Sequence, residues 1–238
     1  MFRSLVLVAA AGLALSACDS ADPLVETPIQ ARVAANIVAD PATRDPNTGI
    51  PSATGRYTLY SLRDSSVVLN YDNLVRTDSA TAKWDIGFRG TSIIVNGGTS
   101  GPGQGAAVIT TGEAGLFDSF TSVPDSLTFR IDGAAASACP GRNTPGGPVP
   151  GVPLAICGGS DNGWYNYNQP QNLITPLPGR TIFVRTADGQ GYAKVQIQSY
   201  YRGAPAVPVT SGAGADQDRT YTFRYVVNPA GRSFSTLQ

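Results

Sequence analysis

The sequence has no histidine in its 238 residues. That absence removes Ser-His-Asp and Cys-His catalysis, His-based zinc sites and any imidazole general base. Its single methionine is the initiator, so the rest of the chain has no thioether ligand. Charge is sparse at 14%, with 17 basic residues balancing 17 acidic ones. Such a chain carries no electrostatic footprint for nucleic acid or for an anionic membrane surface. Acidic residues are scattered, and Asp216 and Asp218 read as a solvated turn in a loop rather than a catalytic pair. No base, metal site or nucleophile constellation is visible, so an enzyme is not expected. Helical periodicity is also missing beyond the first residues. Glycine (27) and proline (18) are abundant instead. The roughly 220 residues beyond the leader suit one large all-β domain or two small ones.

The first residues read as a leader. Met1-Phe2-Arg3 is a short basic region, and Leu5 to Leu15 is an apolar run too short for a permanent membrane span. Leu15-Ser16-Ala17-Cys18 looks like a bacterial lipobox. It implies a signal peptide over 1–17, cleavage before Cys18 and lipid on the Cys18 sulfur. Loss of Arg3 with the leader leaves 16 basic and 17 acidic residues. Residues 18–54, with Pro23, Pro28, Pro41, Pro46 and Pro51, read as a lipid-anchored tether and entry segment. Within it, Ile29 to Val38 fits either a short helix or a strand.

Two further cysteines, Cys139 and Cys157, bracket a proline- and glycine-rich excursion. An exported chain meets oxidising conditions, so a disulfide is expected. A thiolate metal site lacks further soft ligands. No metal site is expected.

Residues 55–238 read as one all-β domain, an antiparallel-rich sandwich or barrel-like fold with long Gly/Pro loops. Turn signals recur at short intervals between β-branched and aromatic runs. Tyr57–Leu62 and Ser66–Leu69 flank a hairpin at Arg63-Asp64. Ser126–Ile131, Arg180–Thr186, Tyr192–Tyr201 and Thr220–Val227 are further strands, with Phe117–Phe120 ambiguous. The Tyr192 strand is expected to face Ala193, Val195 and Ile197 inward, leaving Lys194, Gln196, Gln198 and Tyr200 on the solvent side. The Thr220 strand should gather Tyr221, Phe223, Tyr225 and Val227 on one face. Gly203 to Asp218 reads as a mobile loop.

The stretch Lys83-Trp84-Asp85-Ile86-Gly87-Phe88-Arg89 organises the chain. Strict alternation would place Trp84, Ile86 and Phe88 together. Ser92–Val95 follows as a second strand, then Asn96-Gly97-Gly98-Thr99-Ser100-Gly101-Pro102-Gly103-Gln104-Gly105 as a loop. Phosphate binding there would need a helix directly after the glycines. The β-branched strand Ala106–Thr111 follows instead, which argues against a nucleotide. Asp161-Asn162-Gly163-Trp164-Tyr165-Asn166-Tyr167-Asn168 interleaves aromatics with asparagine, a pattern suited to packing or to a flat ligand platform.

Several of these stretches together resemble the HmuY family of haem-capturing lipoproteins. They are Lys83–Arg89, Asn96–Gly101, Gly163–Tyr167, Lys194–Tyr201 and Tyr221–Tyr225, spread from about Tyr57 to Val227. The resemblance implies an all-β fold and a lipid anchor at the outer membrane or cell surface, with a periplasm-facing anchor as the variant. It also implies non-enzymatic haem or tetrapyrrole capture for iron acquisition, and handover to a TonB-dependent outer-membrane haem receptor. Known members hold haem iron through histidines, and some relatives through methionines; neither can be carried over here. Tyrosinate also ligates haem iron. Tyr165, Tyr167, Tyr200 and Tyr201 are therefore the candidate ligands, with Arg202 or Lys194 as partners for propionates. Stacking without iron ligation is a further mode. The competing expectation is a lipid-anchored β-sandwich interaction module. It would bind a glycan, a peptide or an envelope partner through the glycine loop and the Trp164 region.

Overall fold

The structure, a computed structural model, describes residues 26–44, 47, 51–112, 116–133, 139, 142–144, 147–149, 151–212 and 214–237. The leader and Cys18 lie outside them. Two antiparallel sheets dominate. The larger runs β2 (Arg32–Val38), β16 (Thr220–Asn228), β15 (Tyr192–Ser199), β14 (Thr181–Arg185) and β9 (Ala106–Thr110), in that order. The smaller runs β6 (Ser66–Leu69), β5 (Thr58–Ser61), β7 (Ile86–Arg89) and β8 (Ser92–Val95). Four short strand pairs decorate them: β1 (Glu26–Pro28) with β17 (Ser235–Leu237), β3 (Thr43–Arg44) with β4 (Pro51–Ser52), β10 (Arg142–Thr144) with β11 (Gly147–Val149), and β12 (Tyr165–Asn168) with β13 (Leu173–Pro176). Helix is confined, among the described residues, to one turn, α1 (Leu116–Ser119), and a 3₁₀ turn over Thr77–Ala80. The fold is all-β and sandwich-like; neither sheet closes into a barrel.

The period-two pattern builds the core. Tyr221, Phe223, Tyr225 and Val227 of β16 share one buried face, as expected. Across the gap, the Phe88 ring lies 5.2 Å from Phe223, and Tyr60 meets Phe223 edge-on at 5.4 Å. These ring contacts join the sheets face to face. The outer face of the large sheet carries a second cluster: Phe183 and Val226 under Phe117, Val123 and Phe234. A third cluster, on the outer face of the small sheet, contains Leu59, Leu69, Trp84 and Ile94.

Several expectations need correction. Trp84 does not share the face of Ile86 and Phe88. It precedes β7, packs in the outer cluster and donates its indole N–H to the Ser79 carbonyl at 3.1 Å. The alternation breaks at Asp85, whose carboxylate is fully buried among backbone N–H groups. Ser126–Ile131 is not a regular strand; its contact with β9 is a single bridge between Ala107 and Arg130, while Leu127 and Phe129 pack on the second cluster. The Phe117–Phe120 segment supplies α1. The segment read as a tether reaches into the domain, because β2 pairs along β16 as an edge of the large sheet.

The glycine loop is filled by its own main chain. A Cβ on Gly97 would fall on the carbonyl of Gly105, and one on Gly98, at φ +64°, on the carbonyl of Asp132. Asn96 lies at the loop's centre. Its side-chain amide donates to the carbonyls of Thr81 and Trp84, and its oxygen accepts the Gly103 N–H. Asp132, also buried, accepts N–H groups from Val95 and Ala155. The Cys139–Cys157 disulfide forms, with Cα atoms 5.3 Å apart across 18 positions. Closing a loop of that length stabilises by about 3 kcal/mol in the chain-entropy model.

Candidate functional site

Aromatic side chains converge at one end of the sandwich, and an irregularity in the large sheet puts them there. The register of β15 against β16 shifts between Ile197 and Ser199. The extra residue moves the side-chain phase by one. Tyr200 therefore joins Ala193, Val195 and Ile197 in the core, contrary to the simple alternation. Its ring lies 5.8 Å from Trp164, 5.7 Å from Tyr201 and 5.4 Å from Tyr221. Trp164 packs against Tyr165 at 4.8 Å, and its indole N–H donates to the Thr91 carbonyl. This cluster seats the β12–β13 hairpin on the sandwich.

Over the hairpin lies the segment 203–218. It is expected to be a mobile loop; its described residues are held at several points by hydrogen bonds. The Arg202 N–H donates to the Gln217 carbonyl, Asp216 exchanges two hydrogen bonds with Val209 at 2.7 Å, and the Thr210 hydroxyl donates to the Gln171 carbonyl at 2.6 Å. Between hairpin and segment runs a groove of about 460 Å³. Pro170, Leu173, Val207 and Pro208 supply apolar wall, and Asn172 and Thr210 supply polar groups. Val207 is 82% exposed, among several exposed aliphatic side chains such as Leu74 at 80%. Sequence reasoning missed these residues. The signal was present in Val207-Pro208-Val209, an apolar run inside a loop.

The candidate residues divide. Tyr167, 40% exposed, donates its phenol hydrogen bond to Asn172 at 3.1 Å, one bond from the groove. The Tyr201 phenol is buried and accepts the Ile174 N–H beneath the hairpin. Tyr165 is buried, and its phenol accepts the Gly159 N–H. Tyr200 is buried. Arg202 is exposed beside the segment, with its Nε–H on Gln217 at 2.6 Å. Lys194 is corrected outright: it is 5% exposed rather than solvent-facing, and it sits with Val226 and Phe234 on the other face of the large sheet. It cannot share a ligand with the tyrosines.

Burial raises the pKa of Tyr200 and Tyr201, and pushes that of Tyr221 well up. Desolvation of the phenolate is the leading cause in each. For groups raised on folding, the stability contribution is complete below the unfolded value near 10 and is lost as pH climbs through the folded values. The urea midpoint is expected to hold up to about pH 9 and fall beyond about pH 10, with phenolate absorbance rising in step with unfolding. Full phenolate absorbance in the folded protein at pH 10.5 would contradict it.

Among the described residues no group of three or more Cys, Asp or Glu side chains is placed to hold a metal ion. None of their helices is long and apolar enough to cross a membrane. No curated protein matches the sequence. Several solved structures do resemble it, among them the following two. The apo HmuY analog of Tannerella forsythia aligns with a TM-score of 0.41 at 13% identity, covering 87% of this chain and 100% of that one. A lipoprotein candidate from Bacteroides fragilis gives 0.41 at 13%, covering 80% and 93%. The family described as HmuY protein matches residues 54–210, a span that takes in the small sheet, the glycine loop, the aromatic cluster except Tyr221, the hairpin and the start of the segment over it. The chain belongs to the HmuY family.

Proposed function

We propose that the protein captures a tetrapyrrole, haem or a close relative, in the groove between the β12–β13 hairpin and the segment 203–218. The carrying observation is the family match across residues 54–210, which includes most of that groove. A porphyrin requires apolar faces, partners for its propionates and, for tight iron binding, an axial ligand. Leu173, Val207, Pro170 and Pro208 provide the first. Arg202, exposed directly before the segment, serves the second. For the third, Tyr167 alone of the four candidate tyrosines is exposed. Bound haem would supply redox-active iron, while this chain's own residues would hold the macrocycle and Tyr167, hydrogen-bonded to the groove residue Asn172, would offer a phenol oxygen.

With histidine and methionine absent, capture depends on the macrocycle more than on iron. The mature protein would carry lipid on Cys18 at the outer membrane or cell surface and pass its cargo to a TonB-dependent receptor. Absorbance titrations with ferric haem and with metal-free protoporphyrin IX test this reading. Both are expected to bind, and Val207→Asp should weaken both about tenfold, or about 1.4 kcal/mol. Tyr167→Phe should alter the Soret band of the haem complex and leave protoporphyrin binding unchanged. If neither compound binds, the interaction-module reading, with a glycan or peptide in the groove, replaces this one.

A further inference from the structure

The buried lysine on the far face of the large sheet has a cleft of its own. Lys194 of β15 points away from Ala193 and Val195, under α1 and Phe234. Its ammonium donates to the carbonyls of Phe117 at 2.6 Å and Phe120 at 2.7 Å. It also lies 4.6 Å from the centre of the Phe117 ring. An ammonium has three N–H donors, and these carbonyls take two. No carboxylate among the described residues forms an ion pair with it. Asp118, on the same turn, is held by both terminal guanidinium nitrogens of Arg224 at 3.0 Å. The Arg224 guanidinium itself stacks 4.2 Å over the Phe117 ring. Among the described residues, two cations and one anion thus meet around α1, a local excess of one positive charge in a mostly apolar setting. Burying a charge is unfavourable unless a counter-charge or full hydrogen bonding compensates it. Burial accordingly lowers the lysine's pKa.

Lys194 lines a cleft of about 260 Å³ with Ile29, Phe117, Phe120, Val226 and Phe234. The cleft is small, and its walls are mostly aliphatic and aromatic with Gln30 and Thr121 among them; Lys194 is its one cation, and the Asp118 carboxylate that also lines it is already held by Arg224. We propose that it binds a small monocarboxylate with an apolar or aromatic body, the carboxylate meeting the remaining N–H of Lys194 and the body lying against the phenylalanines. A carboxylate would give Lys194 the directly paired anion that none of the described residues provides, and the rings exclude water from the pair. The site lies across the large sheet from the groove and does not depend on tetrapyrrole capture.

Benzoate is the probe, and its neutral isostere benzamide is the control. Amide NMR shifts of the mature protein titrated with benzoate should move at Phe117–Thr121 and Val226. Benzamide should bind about tenfold more weakly or worse. Lys194→Met keeps the stem, removes the charge, and should abolish the preference for benzoate. Should that variant fail to fold, the benzoate-to-benzamide ratio in the unaltered protein decides. No benzoate shifts, equal binding of the two probes, or shifts confined to Leu173 and Val207 would overturn the proposal.

Discussion

Replacing Asp85 with alanine is expected to destabilise the protein by about 3–5 kcal/mol, the usual consequence of removing one partner of a buried ion pair. The Asp85 side chain is fully buried and joins three parts of the fold. One oxygen accepts the Ala187 N–H at 2.9 Å, from the turn between β14 and β15, and the Arg63 Nε–H at 3.0 Å. The other accepts the Leu62 N–H at 2.9 Å, at the end of β5. Arg63 continues the chain of charges to Asp188 at 3.0 Å. Alanine at 85 would leave a partly buried guanidinium and two buried N–H groups without their acceptor, and would loosen one sheet from the other. Urea unfolding measures the loss. A change below about 1 kcal/mol would show that the cluster is not a structural hub. Replacing Asp85 and Arg63 together by leucine and methionine should recover part of the loss, since it leaves no buried charge unpaired and only the part-exposed Asp188 loses a partner.

Gly98→Ala should cost about 3 kcal/mol or more, while Gly55→Ala should cost only about 1–2. Both glycines have positive φ, +64° and +76°, so both alanines bear the left-handed strain. Only at Gly98 would the new methyl meet a backbone carbonyl, that of Asp132; Gly55 has open space. The excess at Gly98 therefore isolates the price of separating two main-chain segments. Equal losses in thermal melts of the two variants would sink the close-packing account of the glycine loop.

Much of the sandwich was legible in the chain. Ser66–Leu69 and Ser92–Val95 form strands with the expected bounds, and β16 turns its aromatic face inward, because period-two burial leaves a plain mark. Trp84, Tyr200 and Lys194 were misplaced for two related reasons. Strict alternation assumes an unbroken strand, whereas a buried carboxylate interrupts the run before β7 and a bulge shifts the phase near the end of β15. It also assumes that the face opposite the core is wet. Here both faces of β15 are covered, so a lysine in the solvent register lies beneath phenylalanine. Of the site, the Trp164–Tyr167 stretch and the Tyr200-Tyr201 pair were legible as aromatic runs. The groove was not, since it forms only where Leu173 and Val207 come together across some thirty residues of intervening chain.

The groove is assembled entirely from appendages. One wall is a hairpin resting on the aromatic cluster, and the other is an excursion between β15 and β16; neither contributes a strand to the two main sheets. Insertions, deletions or substitutions in either wall can thus reshape the groove without disturbing sheet register or interior packing. That separation lets the chemistry of the groove change while the sandwich beneath it stays intact.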